Sequence, residues 1–173
     1  VFSYNGNKTI TCGGGGMLIT DDKEIFERVK HISTTAKVPH KWEYVHDEIG
    51  YNYRMPNVNA AVGCAQMEQL EFYLANKREL AQSYISFFEN NKINMVTEPV
   101  NCRSNYWLNA IILDSAEERE LFLKETNENG VMTRPIWQLM NKLEMFRDCE
   151  VASSENAEWL VQRIVNIPSG VRI

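Results

Sequence analysis

The chain has 173 residues, 44% hydrophobic and 24% charged, with 18 basic against 23 acidic side chains and a formal charge of −5. This suits one soluble globular unit or two small ones. The acidic balance argues against a nucleic-acid partner, which needs a basic face to neutralise phosphate, and no apolar run approaches the roughly 18–20 residues that span a membrane.

In chain order, Val1-Phe2-Ser3-Tyr4 is apolar and strand-like, with neither an initiator Met nor a basic-then-apolar leader. Natural N-termini are usually polar and frayed, so a piece of a longer protein is expected, its partner strands lying upstream. A turn at Asn5-Gly6-Asn7-Lys8 leads through Thr9–Cys12 into Gly13-Gly14-Gly15-Gly16 and the apolar Met17-Leu18-Ile19. Asp21 and Asp22 begin a helix with Ile25, Phe26, Val29 and Ile32 at helical spacing. Residues 33–54 have no clean period. Pro56 is suited to open the next helix, which is rich in small residues and continues, with a bend, through Leu70 and Leu74 to Phe88. Beyond Pro99, a strand is predicted over Tyr106–Leu113 and a capping box at Ser115–Glu118 opens a helix that ends at Gly130. An extended segment before Pro135 follows, then a helix from about Glu155 to Arg163 behind Ser154, and a last strand at Ile164–Ile167. The second half reads as a small α+β layer behind a long helical connector.

Lys8 heads the candidate chemistry. A lysine on a strand-ending turn, with a hydroxyl at Ser3 and glycines nearby, can form an imine with an aldehyde cofactor if its surroundings expose the free amine. Glycines would let a flat cofactor approach the backbone. Taken alone, a solvated hairpin lysine is the default. A phosphate-binding Walker loop fails on glycine spacing. Cys12, Cys64, Cys102 and Cys149 are scattered without a CxxC pair, as in a cytoplasmic protein with reduced thiols. His40 and His46 lack a metal-ligand spacing, and no metal site is expected.

The string Ser3–Met17 resembles the cofactor-lysine segment of the DegT/DnrJ/EryC1/StrS family, pyridoxal-phosphate-dependent aminotransferases acting on nucleotide-linked keto-sugars. Asp47-Glu48-Ile49-Gly50-Tyr51-Asn52-Tyr53-Arg54-Met55-Pro56 is similar to the family's next signature. Thr133–Trp137 and Asn166–Ser169 are weaker matches. The likeness covers essentially the whole chain.

The resemblance implies an α/β fold: the C-terminal part of a fold-type I transferase, with residues 1–75 ending the large cofactor domain and 76–173 forming the small α+β domain. It implies pyridoxal 5'-phosphate as cofactor, Lys8 as the residue bonded to it, Ser3 as a hydroxyl on its phosphate, and Asn52 as a contact to the phosphate in the neighbouring subunit of a homodimer. Arg134 would grip a substrate phosphate, or else serve a structural salt bridge. Tyr51 and Trp137 would line the sugar pocket, though such aromatics also serve packing. Glutamate is the expected amino donor. The text over Lys37–Glu48 looks most like the branch acting on UDP-linked 4-keto-6-deoxy-N-acetylhexosamines in nonulosonic (legionaminic-type) acid synthesis. The family's other cofactor contacts, including the aspartate on the pyridine nitrogen, lie upstream of the lysine, so little activity is expected of these 173 residues alone. The alternative is a non-catalytic dimerisation and packing module of the same fold.

Overall fold

A computed structural model of the chain describes residues 1–172, which divide into two units, 1–70 and 71–172. In the first, β1 (Phe2–Ser3) pairs antiparallel with β2 (Gly16–Met17), with Ser3 opposite Gly16. A Cβ on Gly16 would stand 2.7 Å from the Phe2 carbonyl oxygen, so the close pairing requires glycine there. Helix α1 (Lys23–Ser33) starts where the Asp22 carboxylate accepts from the Glu24 and Ile25 amides at 2.9 and 3.1 Å, satisfying two of the donors that a helix start leaves unpaired. Its apolar positions recur at helical spacing, yet none of its residues is buried. Helix α2 (Asn57–Glu68) follows. Pro56 precedes it as an extended cap (φ −61°, ψ 148°) instead of forming its first residue.

The expected continuous helical stretch is two helices, α2 ending at Glu68 with Gln69 as its cap and α3 spanning Leu70–Asn90. The second unit then adds β3 (Asn94–Met95), β4 (Asn109–Ile112), α4 (Ala116–Glu128), β5 (Arg134–Pro135), two short 3-10 turns, α5 (Glu155–Val161) and β6 (Ile164–Ile167). Its sheet is antiparallel in the order β3-β4-β6-β5. Burial alternates along β4 and β6, as a half-covered sheet requires. Ile111 and Val165, opposite each other in register, are completely buried with Leu113, Ile167 and Phe88. Tyr84 of α3 and Phe122 and Leu123 of α4 pack against this core.

Three local expectations need correction. Strand β4 starts at Asn109, because Tyr106 takes a left-handed backbone (φ 44°) and is buried with its hydroxyl accepting from the Glu98 amide at 3.4 Å. The capping box closes on one side only: Ser115 Oγ accepts from the Glu118 amide at 3.1 Å, but the Glu118 carboxylate accepts from the amide of Asp114, not that of Ser115. Ser154 caps no amide; its hydroxyl donates to Glu158 at 3.1 Å.

A polar clamp fixes the turn before β4. Arg78 donates to both oxygens of Glu98, at 2.8 and 3.0 Å, and Glu98 also accepts from the Ser104 amide at 2.8 Å. The Arg78 hydrogen bonds, with help from Ser104, hold the Glu98 carboxyl down at about 2 from its ordinary 4.5. A depressed carboxylate stabilises the fold above its unfolded pKa and loses that contribution as pH falls through the folded value. Glu98→Gln is therefore expected to lower the urea midpoint at pH 7, with the difference from the parent shrinking between pH 4.5 and about 2. A difference that persisted undiminished to the acid end of that window would refute the clamp.

Candidate active site

The stretch between β1 and β2 closes on itself through backbone hydrogen bonds. The Lys8 amide donates to the Asn5 carbonyl at 3.0 Å, the Cys12 amide to Tyr4 at 3.2 Å, and the Tyr4 amide to Gly15 at 3.0 Å. Thr11 braces the middle: its hydroxyl donates to the Tyr4 carbonyl at 3.1 Å and accepts from the Gly13 amide at 3.0 Å. Ser3 thus ends β1 and Lys8 closes the turn that starts two residues later at Asn5. Ser3 Oγ is exposed and accepts only a long contact, 3.5 Å, from the Asn5 amide. Lys8 is half-buried. Beside it the Thr9 hydroxyl is buried without a hydrogen-bond partner among the described residues, a costly arrangement unless something else engages it.

The glycine run joins this turn to the second motif. Gly13 and Gly15 have φ of +84° and +95°, in the region that L side chains avoid. A Cβ on Gly15 would lie 3.0 Å from Met55 Cε. Asn59 Nδ2 of α2 donates to the Cys12 carbonyl at 2.7 Å. Cys12 is buried, its thiol donating to the Gly14 carbonyl at 2.9 Å, and α2 presents Gly63 to it: a Cβ there would reach Cys12 Cβ at 3.7 Å.

Residues 34–53 form a knot with little regular structure. Thr35 and Ala36 both have left-handed backbones, at φ 70° and 50°. Thr34 bridges Asn52 and Lys37 bridges His46. His46 Nδ1 lies 2.7 Å from the Thr35 carbonyl. Since a carbonyl only accepts, the ring carries hydrogen on that nitrogen. The amides of Tyr51 and Tyr53 donate to Ile32 and Ser33, carbonyls at the end of α1, at 2.6 and 3.0 Å. Tyr51 stacks on Tyr53 with ring centres 5.0 Å apart, and both rings, like Asn52 between them, are exposed.

Side-chain contacts from Arg28 and His31 tie the same segment to α1. His31 Nε2 meets Asp47 Oδ1 at 2.7 Å, and Arg28 donates to Glu48, which is also 3.5 Å from His31. The hydrogen bond from His31 holds the Asp47 carboxyl below its ordinary range, and the one from Arg28 does the same for Glu48. The sequence places Asp47 and Glu48 in a motif and His31 on a helix as a surface or partly buried side chain, but does not show the contacts that Arg28 and His31 make with the two carboxylates. The spacing of three between Arg28 and His31 on one helix face was the available signal.

In the second unit, Arg134 lies on β5 opposite Asn166. Its Nη1 donates to Asn127 Oδ1 at 3.2 Å and to the Thr133 carbonyl at 3.1 Å, both neutral acceptors. Thr133, not singled out from sequence, is the buried anchor here, its hydroxyl 2.6 Å from that of Thr126. Trp137 is 66% exposed and stacks on Trp107 with centres 6.3 Å apart. The buried Lys77 donates to the carbonyls of Trp107 and Ser169, and burial pushes its ammonium pKa down.

The sequence pattern of the DegT/DnrJ/EryC1/StrS aminotransferase family matches residues 1–173. The chain belongs to that family. It is 37% identical over 168 residues to the GDP-perosamine synthase of Escherichia coli O157:H7, covering 97% of this chain and 45% of that one. Among solved structures it is similar to Helicobacter pylori PseC, described as an aminotransferase involved in the biosynthesis of pseudoaminic acid (TM-score 0.90, 20% identity, 99% of this chain and 47% of that one). It is also similar to the PLP form of a putative sugar aminotransferase, Spr1654, from Streptococcus pneumoniae (TM-score 0.82, 18% identity, 99% and 46%). These likenesses identify the fold as part of a fold-type I transferase. The chain spans about half the length of the relatives it matches.

The residues around Lys8 fit a pyridoxal phosphate. A primary amine and the orphaned Thr9 hydroxyl stand on adjacent residues of one loop, with an exposed serine hydroxyl at the end of β1. A Cβ on Gly14 would meet nothing within 4 Å, which leaves open space beside the backbone. Among the described residues, no helix is long and apolar enough to cross a membrane.

Proposed function

We propose that the complete gene product carrying this chain is a pyridoxal-phosphate-dependent aminotransferase that places an amine, taken from glutamate, on a nucleotide-linked 4-keto-6-deoxy sugar for surface-polysaccharide or nonulosonic acid synthesis. Residues 1–75 would end its large cofactor domain and 76–173 its small domain. Family membership supports the class of reaction, and the names of its relatives support a sugar nucleotide. The observation that supports the assignment to particular residues is the loop that leads from Ser3 at the end of β1 to Lys8, tied to α2 through Cys12 and Asn59.

When bound, the cofactor supplies the electron sink that makes a Cα–H acidic. Lys8 would hold the cofactor through its side-chain amine, and that amine, when free, would take the Cα proton and pass it on to the cofactor. Ser3 donates its hydroxyl to the phosphate. Asn52 donates its amide to the phosphate of the neighbouring subunit in a homodimer. Arg134 binds a substrate phosphate through its fork of donors, and Tyr51 and Trp137 line the sugar. The exposed apolar residues of α1 and α2, among them Ile25, Phe26, Val58 and Val62, suit burial against the rest of such a protein. A cytoplasmic site suits four cysteines without a disulfide.

The test is to incubate the complete gene product with pyridoxal phosphate, 15N-glutamate and a panel of GDP- and UDP-linked 4-keto-6-deoxy sugars. An amino-sugar carrying the label is expected from one of them. No labelled sugar from any, with a cofactor-loaded protein, would overturn the proposed substrate class.

A further inference from the structure

We infer that Arg28 and His31 of α1 are positioning residues for Asn52, acting through the Asp47–Glu48 pair. This rests on the cofactor-phosphate role proposed for Asn52 and deepens it.

The segment leading to Asn52 has no regular structure to set its course, so other restraints must. Three are visible. First, α1 ends by offering the Ile32 and Ser33 carbonyls to the Tyr51 and Tyr53 amides, which fixes the backbone on either side of Asn52. Secondly, Gly50 lies against the Thr35–Ala36 backbone so closely that a Cβ would be 2.4 Å from the Ala36 nitrogen, which removes slack just before Tyr51. Thirdly, Arg28 and His31, one turn apart on α1, engage Glu48 and Asp47. These carboxylates stand immediately ahead of Gly50. Their direction of approach therefore sets where the chain enters the tight passage and emerges at Asn52. The Asp47 amide, donating to the Ala36 carbonyl at 3.3 Å, ties that entry to the same knot.

The side chains of the clasp are partly exposed, from 28% for His31 to 58% for Arg28. Exposed ion pairs add little to global stability. What two side-chain contacts on adjacent residues do provide is direction, since each carboxylate is held by a donor on α1. The clasp is thus expected to matter for the placement of Asn52 far more than for folding.

A double-mutant cycle on the complete gene product tests this, with binding of pyridoxal phosphate and of unphosphorylated pyridoxal as readouts. Asn52→Ala is expected to raise the Kd for pyridoxal phosphate about tenfold, as loss of a hydrogen bond to a charged group does, and to leave that for pyridoxal unchanged. The pair Arg28→Gln/His31→Gln is expected to raise the pyridoxal phosphate Kd by about fivefold, with pyridoxal again unaffected, and to add nothing in the Asn52→Ala background. Amide exchange at Tyr51 and Tyr53 checks that the variants stay folded. Additive effects of the two lesions, or equal weakening of both ligands, would mark a merely structural contact and overturn the inference. If Asn52→Ala weakens the phosphate ligand and the clasp pair does not, the inference fails while the role of Asn52 stands. If Asn52→Ala itself has no effect, both fail.

Discussion

Alanine or arginine at Lys8 is expected to abolish amine transfer by the complete gene product, lowering kcat by about a thousandfold or more, the scale of losing a positioned acid–base group. The reason is chemical. Only a primary amine can both bond to an aldehyde cofactor and, once released, carry a proton at that spot. Arginine keeps the charge, but its guanidinium does not deprotonate in proteins. The fold is expected to survive either change, because the turn is closed by backbone bonds, Lys8 to Asn5 and Cys12 to Tyr4, that any side chain permits. Circular dichroism and the denaturation midpoint should therefore match the parent. Undiminished transfer in Lys8→Ala would remove Lys8 from the chemistry.

Gly50→Ala is expected to do the reverse and damage structure first. An added Cβ would lie 2.4 Å from the Ala36 nitrogen, 2.5 Å from the Thr35 carbonyl carbon and 2.8 Å from Ala36 Cβ. None of these is the far end of a flexible side chain that could swing away. Ala36 is completely buried, and both residues already occupy left-handed backbone conformations, each costing on the order of 1–2 kcal/mol for a residue with a Cβ. Forced overpacking typically costs about 1–3 kcal/mol, and with backbone on the receiving side the upper end or beyond is expected. Residues 34–53 should open locally, with faster amide exchange at Thr35, Tyr51 and Tyr53 and weaker cofactor binding through Asn52. A Gly50→Ala protein with the parent's denaturation midpoint and exchange pattern would contradict this packing.

The elements with a strong local period were legible in the sequence. Ile25, Phe26, Val29 and Ile32 marked α1, and Ser115 with Gly130 bracketed α4. The alternation around Ile111 and Val165 gave the two central strands of the second unit. Two-residue strands such as Asn94–Met95 were not legible, because they are too short to show alternation and exist through their partner. The knot at 34–53 was opaque for a different reason. Its left-handed positions are Thr35 and Ala36, where propensity would place glycine or asparagine, and it is held by backbone bonds to α1 from residues about twenty positions away. The candidate site followed the same division. Lys8 and Ser3 could be paired from their nearness in the chain, whereas the contacts of Arg28 with Glu48 and of Asn59 with Cys12 depend on where the chain returns.

The assignment of Lys8 as the cofactor lysine is tested most directly by titrating the complete gene product with pyridoxal phosphate, reducing it with borohydride and mapping the labelled peptides. The expected result is one labelled peptide, carrying the cofactor on Lys8, and its disappearance in Lys8→Ala. Label spread over many lysines, or none at all, would contradict the assignment and favour a packing module of the same fold.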